Sequence, residues 1–186
     1  NTFKWLAEND NPALADRRLA INLSGQSLSS SVFLGIVVDL IDTSSLDPEN
    51  IYFEITETAA IANLEEATRF ILILKGMGCK FSLDDFGSGM SSFQYLKRLP
   101  VDYLKIDGSY VRDLVAEPID RAMVEAVNQI GHAMGMKTIA EFVEDQATLE
   151  ALAAIGVDYA QGYAIAKPAP LEELCSSNLK KVRQPA

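Results

Sequence analysis

The feature that most constrains the fold is an alternation of short β-type runs with amphipathic helical segments along the chain. β-Branched and aromatic residues concentrate in the runs, and apolar residues recur at helical spacing between them. This alternation predicts parallel strands joined by right-handed crossovers, because consecutive strand–helix–strand units pack onto one sheet in that way. Six runs are predicted to be strands: Leu19–Leu23, Ile51–Ile55, Lys80–Leu83, Tyr103–Ile106, Lys137–Ala140 and a weaker Val157–Tyr163.

Three longer helices are predicted from their start and stop residues. Asn63, with Glu66 three residues later, is typical of a capping box, and a glycine follows the apolar stripe of each helix. The predicted helices run from Asn63 to Gly76, from Ile119 to Gly135 and from Asp145 to Gly156. Two shorter helical segments are predicted at Phe3–Leu6 and Phe93–Leu99.

Two architectures are compatible with this pattern, a doubly wound open sheet and a (β/α) barrel. A TIM barrel closes with eight strands, so six strands indicate either an open sheet or a barrel whose first strands lie outside this chain. The polar residues at the strand ends bear on this choice.

Each predicted strand delivers a polar side chain at or near its carboxyl end. In a barrel these ends surround a single pocket, which is where barrel enzymes have their active sites. The residues are Asn22, Glu54 with Glu57, Asp84 with Asp85, Lys105 with Asp107, Glu141 and Gln161.

The types of these residues indicate metal-dependent phosphate chemistry. Amide and carboxylate oxygens are the ligands that Mg²⁺ and Mn²⁺ prefer. The adjacent Asp84 and Asp85 repel each other, and a carboxylate that bridges two cations relieves this repulsion. Paired cations are a common device for phosphoester cleavage. Lys105 would hold an attacking water or stabilise charge that develops on the phosphate.

The segment after Asp84 is predicted to be a mobile loop. It begins with Asp-Phe-Gly, which also occurs in protein kinases, but the chain has no glycine-rich loop and no His-Arg-Asp motif. The kinase interpretation therefore fails. The glycines and serines of Gly87–Ser92 favour a loop that folds over a substrate and responds to bound metal.

Composition excludes several other classes of protein. The 186 residues carry a net charge of −10, so long nucleic acid is a poor partner. His132 is the only histidine, which excludes a His-rich zinc or iron site. Cys79 and Cys175 are predicted to be reduced thiols of a cytoplasmic protein. The longest apolar runs, such as Phe70–Leu74, are too short to cross a bilayer, and no signal peptide is visible.

The strand-end residues also lie within motifs that resemble a known family. From about Leu19 to about Leu174, the chain resembles the EAL domains of bacterial cyclic di-GMP phosphodiesterases. Seven motifs in the same order carry the resemblance, and a Lys-Pro pair at 167–168 follows them. They are Ile21–Ser24, Glu54–Glu57, Asp84–Gly89, Leu99–Asp102, Leu104–Asp107, Ala140–Glu144 and Gln161–Tyr163.

The resemblance implies a TIM-like (β/α) barrel with one reversed strand. It also implies hydrolysis of cyclic di-GMP to linear pGpG at a two-metal site of Mg²⁺ or Mn²⁺. By position, Lys105 would orient the nucleophilic water and Gln161 would support the site. Glu57 would steady the loop of Gly87, Ser88 and Gly89, which in the family lies near a homodimer contact. The implied metal ligands are Asn22, Glu54 and Asp84 for the first ion, with Asp84, Asp85 and Glu141 for the second.

Three departures from the family pattern are visible. The Glu-Ala-Leu signature and a phosphate-binding arginine would precede Asn1, so the first strands and one metal ligand are expected outside this chain. Residues 1–175 are interpreted as a partial EAL domain, and residues 176–186 as a C-terminal tail. Phe142 occupies a position that is usually glycine and would narrow the pocket, while Met90 replaces a usual tyrosine.

The sequence leaves a second function open. A receptor module of this family would bind cyclic di-GMP, or only a protein partner, without cleaving it. The acidic ligands within the chain are all present, which favours the enzyme. The resemblance further implies an upstream sensor or GGDEF domain in a longer parent protein, which is compatible with a membrane anchor elsewhere in that parent.

Overall fold

The predicted strands form one parallel sheet. The structure is a computed structural model that describes residues 18–44, 46–87 and 93–170. The sheet has six strands in chain order, and every neighbouring pair is parallel. The strands are β1 (Leu19–Leu23), β2 (Ile51–Thr56), β3 (Lys80–Phe86), β4 (Tyr103–Ile106), β5 (Lys137–Ala140) and β6 (Tyr159–Ala160).

Helices connect these strands, and the three longer helices predicted from the sequence are confirmed as α4, α6 and α7. The described helices are α1 (Gly25–Leu28), α2 (Ser31–Thr43), α3 (Glu57–Ala62), α4 (Leu64–Gly76), α5 (Gly108–Arg112), α6 (Pro118–Ala133) and α7 (Gln146–Ile155). Short 3₁₀ turns occur at Pro48–Asn50 and Tyr95–Arg98. The prediction at Phe3–Leu6 lies outside the described residues.

Two local predictions about helix ends are wrong. Asn63 occupies the N-cap position of α4, but its side chain makes no capping hydrogen bond. The reason is that α3 ends directly before Asn63, so this residue turns the chain between two helices with φ −143°. The helix expected over Phe93–Leu99 is only the 3₁₀ turn, because Pro100 forces Leu99 into an extended conformation.

The sheet buries one face against helices and leaves polar groups on the other. On β2, Ile51, Phe53 and Ile55 are fully buried, whereas the residues between them are partly exposed. Phe81 of β3 packs against Phe53 and meets Phe70 of α4 edge to face, with ring centroids 5.4 and 6.5 Å apart. Each buried phenylalanine contributes about 1.5–3 kcal/mol. This core anchors the strands whose opposite face carries Glu54.

The edges of the sheet are β1 and β6, which do not pair with each other within the described residues. The reversed strand implied by the resemblance is not among the six strands described. No described helix combines the length and the apolar character needed to span a membrane. Cys79 is a free buried thiol, and burial raises its pKa to about 11, whereas Cys175 lies outside the described residues.

A polar network ties β5 to β6 and α6 through Asp158. This carboxylate accepts hydrogen bonds from Lys137 Nζ at 2.6 Å and from the backbone N–H of Thr138 at 2.9 Å. His132 Nε2 lies 2.7 Å from Asp158 Oδ2. Burial alone would raise the pKa of Asp158, but these partners outweigh it and lower the pKa to about 2. The ionised carboxylate therefore stabilises the folded state.

We expect Asp158→Asn to lower the free energy of unfolding by about 1 kcal/mol near neutral pH, after allowing for solvent screening. In the unfolded chain the carboxyl group of Asp158 is protonated as the pH falls through its ordinary pKa of 3.8. In the folded protein the group stays ionised until the pH falls to its lowered pKa of about 2. The stabilisation is therefore present above 3.8 and is lost as the pH falls through about 2. Urea unfolding monitored by circular dichroism should show the difference between variant and wild type shrinking over this window.

The control is Asp39→Asn, which removes an exposed carboxylate on α2 and should leave the free energy of unfolding unchanged. A difference between Asp158→Asn and wild type that is the same at all pH values would contradict the role of the ionised carboxylate.

Candidate active site

The polar residues predicted at the strand ends meet at the carboxyl edge of the sheet. Glu54 belongs to β2, Asp84 to β3 and Lys105 to β4, and Glu141 directly follows β5. These four strands are consecutive neighbours in the sheet. Since all of them are parallel, their carboxyl ends lie at one edge, and the four side chains form one cluster.

Lys105 is the centre of this cluster. Its Nζ lies 2.8 Å from Asp84 Oδ1, 2.8 Å from Glu141 Oε1 and 3.4 Å from Glu54 Oε1. The lysine is only 2% exposed. Burial by itself would lower its pKa, but the three carboxylates outweigh burial and raise the pKa above the ordinary value. Lys105 is therefore a permanently charged ammonium, and one positive charge faces three carboxylates.

Three carboxyl groups beside Lys105 offer oxygens for a cation. One oxygen each from Asp84, Asp85 and Glu141 lies within 4.8 Å of the others. Asp84 Oδ1 is buried, and although Lys105 lies 2.8 Å away, no donor among the described residues is aligned for a hydrogen bond with it. Three carboxyl groups whose oxygens converge in this way fit a divalent cation.

The electrostatics of the cluster agree with this fit. Burial raises the pKa of Glu141 to about 7, Lys105 opposes this shift, and the charge of Asp84 adds to it. Burial also raises the pKa of Asp85, helped by the charges of Asp84 and Asp107. Carboxylates that repel one another are stabilised when a cation binds between them, and the cation binds only to their ionised forms. Protons and cations therefore compete for this cluster.

Asn22 and Gln161 lie at the two edges of the sheet, Asn22 on β1 and Gln161 directly after β6. Asn22 is paired with Glu54 in the register of β1 and β2, and its side chain is exposed. Gln161 follows β6, where its backbone N–H donates to Ala140 O at 2.8 Å, and its side chain is also exposed. The proposed roles of both residues stay predictions. Asp107, which follows β4, caps α5 instead by accepting from the N–H of Ser109.

Glu57 connects the start of α3 to the base of the glycine-rich loop. Its buried carboxylate accepts from Tyr95 Oη at 2.7 Å and from the N–H of Gly87 at 3.2 Å. Tyr110 Oη donates to Gly87 O at 2.7 Å, so both peptide groups of this glycine are held. Gly87 has a φ of +97°. The effect of Glu57 on the rest of the loop stays a prediction, because Ser88, Gly89 and Met90 lie outside the described residues.

A layer of tyrosines that was not predicted lies on the site face of the sheet. Tyr52, Tyr103 and Tyr159 belong to alternate strands, with neighbouring ring centroids 5.5 and 6.1 Å apart. They line a cavity of about 440 Å³. The signal is in the sequence, because residues two apart on a strand share a face. Each tyrosine precedes a strand-end residue by two positions, namely Glu54, Lys105 and Gln161.

Comparison with known proteins agrees with this architecture. The family model for the EAL domain matches residues 1–168. Cyclic di-GMP phosphodiesterase PdeB of Shewanella oneidensis is 40% identical over 99% of this chain and 21% of its own length. The bifunctional diguanylate cyclase/cyclic di-GMP phosphodiesterase MucR of Pseudomonas aeruginosa is 35% identical over 88% of this chain and 24% of its own. The solved structure of the PaMucR phosphodiesterase in complex with cyclic di-GMP superposes on this chain with a TM-score of 0.80 and 34% sequence identity. The match covers 93% of this chain and 68% of the solved chain.

The parallel sheet and its acidic cluster around a lysine define an α/β protein with a candidate divalent-cation site at the carboxyl ends of the strands. The chain belongs to the EAL domain family. Its fold is the TIM-like barrel type of the solved EAL structures, with the sheet open across the described residues. The chain spans about a quarter or less of the length of the two curated relatives.

Proposed function

We propose that this chain hydrolyses one phosphodiester bond of cyclic di-GMP to give linear pGpG, with Mg²⁺ or Mn²⁺ as cofactor. The observation that carries the proposal is the convergence of Asp84, Asp85 and Glu141 within 4.8 Å, beside a buried Lys105. Two relatives are named cyclic di-GMP phosphodiesterases, and a structural neighbour holds cyclic di-GMP.

The residues suited to hold the cations are Asn22, Glu54 and Asp84 on one side, with Asp84, Asp85 and Glu141 on the other. When bound, a cation pair acidifies a water and neutralises phosphate charge. Asp84 would be shared by both groups of ligands, because its carboxylate lies close to those of Asp85 and Glu141. Asp85 is held with φ +55°, in the left-handed region, and this backbone turn places two consecutive carboxylates at one site.

Lys105 is suited to position the attacking water. Its ammonium is held by carboxylates from β2, β3 and the end of β5, so it has little freedom to move. Since it stays protonated, it donates hydrogen bonds and cannot serve as a base. Its roles in the reaction are to orient a water and to stabilise negative charge that develops on the phosphate. To Gln161, which directly follows β6, we assign a supporting role at the site.

The experiment that tests the proposal follows conversion of cyclic di-GMP to pGpG by chromatography, with Mg²⁺, with Mn²⁺ and with excess chelator. We expect product only when a divalent cation is present. Binding of cyclic di-GMP without cleavage under any cation would instead indicate a receptor module. Cleavage that continues at full rate in chelator would refute the metal-dependent mechanism.

The proposal also includes the parent protein and the cellular compartment of the domain. We place the domain at residues 1–175 of a cytoplasmic portion of a longer protein that also carries a sensor or GGDEF domain. MucR supports this arrangement, because it is named as both cyclase and phosphodiesterase. We also propose a homodimer, which light scattering of the purified chain would detect.

A further inference from the structure

Phe142 combines an exposed aromatic ring with an unusual backbone conformation. It directly follows Glu141, its φ is +53°, and it is 53% exposed. The non-glycine residues of the described chain with positive φ are Asp85 and Phe142, and each follows a candidate metal ligand. Such a conformation costs about 1–3 kcal/mol and persists where the surroundings enforce it, typically at functional sites.

Hydrogen bonds on both sides enforce the conformation of Phe142. The N–H of Glu141 donates to Ile106 O at 3.3 Å, and the N–H of Val143 donates to Gln161 O at 3.1 Å. The carbonyl of Val143 accepts from the N–H of Ala164 at 2.9 Å. Because the residues before and after Phe142 are bound to β4 and to the segment after β6, the direction of its side chain is determined by the backbone.

The ring of Phe142 rests on the start of α5. A Cβ atom at position 108 would overlap the ring of Phe142. The ring can therefore pack against this position only because residue 108 is glycine. The guanidinium carbon of Arg112 lies 5.6 Å from the ring centroid, within range of a cation–π contact. Gly108 and Arg112 are four residues apart on one helix face, so α5 supports one side of the ring.

The rest of the ring opens into a cavity next to the acidic cluster. Phe142 lines this cavity of about 800 Å³ together with Glu141, Gln161 and Tyr163. Tyr163 is also exposed, and Lys167 Nζ lies 5.8 Å from its ring centroid. The ring of Phe142, which α5 supports, forms part of the wall of this cavity, and the expectation that it narrows the pocket stays a prediction. A flat ring backed by a cation is a stacking surface for nucleobases.

We infer that Phe142 is a stacking platform for one guanine base of the cyclic dinucleotide, held in place by Gly108 and Arg112. The inference rests on the proposed function, because it assigns a base contact to the same site. The acidic residues and the cations they hold bind the phosphate groups of the substrate. They make no favourable contact with the uncharged face of a purine. Phe142 supplies that face beside Glu141, and its contribution is to substrate binding.

The test compares Phe142→Leu, which removes the aromatic face, with the matched control Phe142→Tyr, which keeps it. Equilibrium dissociation constants for cyclic di-GMP are measured by calorimetry with Ca²⁺ as the cation. We expect Phe142→Leu to weaken binding by about tenfold and Phe142→Tyr to stay within about twofold of wild type. Gly108→Ala displaces the ring of Phe142 without removing it, so it should weaken binding of cyclic di-GMP about as much as Phe142→Leu does. Thermal unfolding confirms that each variant is folded.

A metal titration separates stacking from a disturbance of Glu141. Binding of Mn²⁺ in the absence of nucleotide depends on Glu141 and not on a purine, so its dissociation constant should be the same in wild type and Phe142→Leu. A loss of Mn²⁺ affinity as large as the loss of cyclic di-GMP affinity, or equal dissociation constants of wild type and Phe142→Leu for cyclic di-GMP, overturns the inference and leaves the proposed function standing. Failure of wild type itself to bind or cleave cyclic di-GMP overturns the proposed function, and the inference with it.

Discussion

Asp84→Asn is expected to reduce cleavage of cyclic di-GMP by more than about 100-fold while the protein stays folded. Asp84 lies near the carboxyl end of β3, where one of its oxygens is buried 2.8 Å from Lys105 Nζ. An amide keeps the shape of the side chain, but it loses the charge and offers only one acceptor oxygen to a cation shared with Asp85 and Glu141. Initial rates of pGpG formation and calorimetric titration with Mn²⁺ measure the two losses.

The matched control is Asp39→Asn, the same change at an exposed position on α2, which should leave both quantities unchanged. Circular dichroism should show the same secondary structure in both variants. If Asp84→Asn retains activity within about tenfold of wild type, the bridging role of this carboxylate is wrong.

Lys105→Met is expected to affect both stability and catalysis. Without added cations, the variant should lose about 3 kcal/mol in free energy of unfolding, because three carboxylates lose their buried counter-charge. With cations, kcat should fall by about 100-fold and KM should change much less, since the ammonium acts mainly in the transition state. Urea unfolding and steady-state kinetics provide the two measurements.

The cation dependence of Lys105→Met gives a further readout. In the metal-free protein the ammonium neutralises carboxylates that a cation would otherwise bind. Mn²⁺ should therefore raise the Tm of the variant more than that of wild type. Lys97→Met, a change at an exposed lysine, is the control and should behave as wild type. A rise in KM with kcat little changed would show a lysine that only binds substrate.

The sequence by itself determined those strands and helices whose residue patterns are local, meaning that they are complete within one short segment of the chain. β1, β4 and β5 have the predicted bounds, because short apolar runs with clear ends specify them. α2 was not predicted, and the reason is physical. Val32 and Ile36 are exposed while Val37 and Ile41 are buried, so apolar residues lie on more than one face and no single stripe marks the helix.

The sequence also determined which chemical groups reach the site, because parallel strands bring their carboxyl ends to one edge whatever the details of packing. Only the tertiary structure decided how those groups are arranged. It placed Lys105 between Asp84 and Glu141 at 2.8 Å from each, and it seated Phe142 on Gly108. These distances depend on strand register and on contacts between residues far apart in the chain, and no local pattern encodes them.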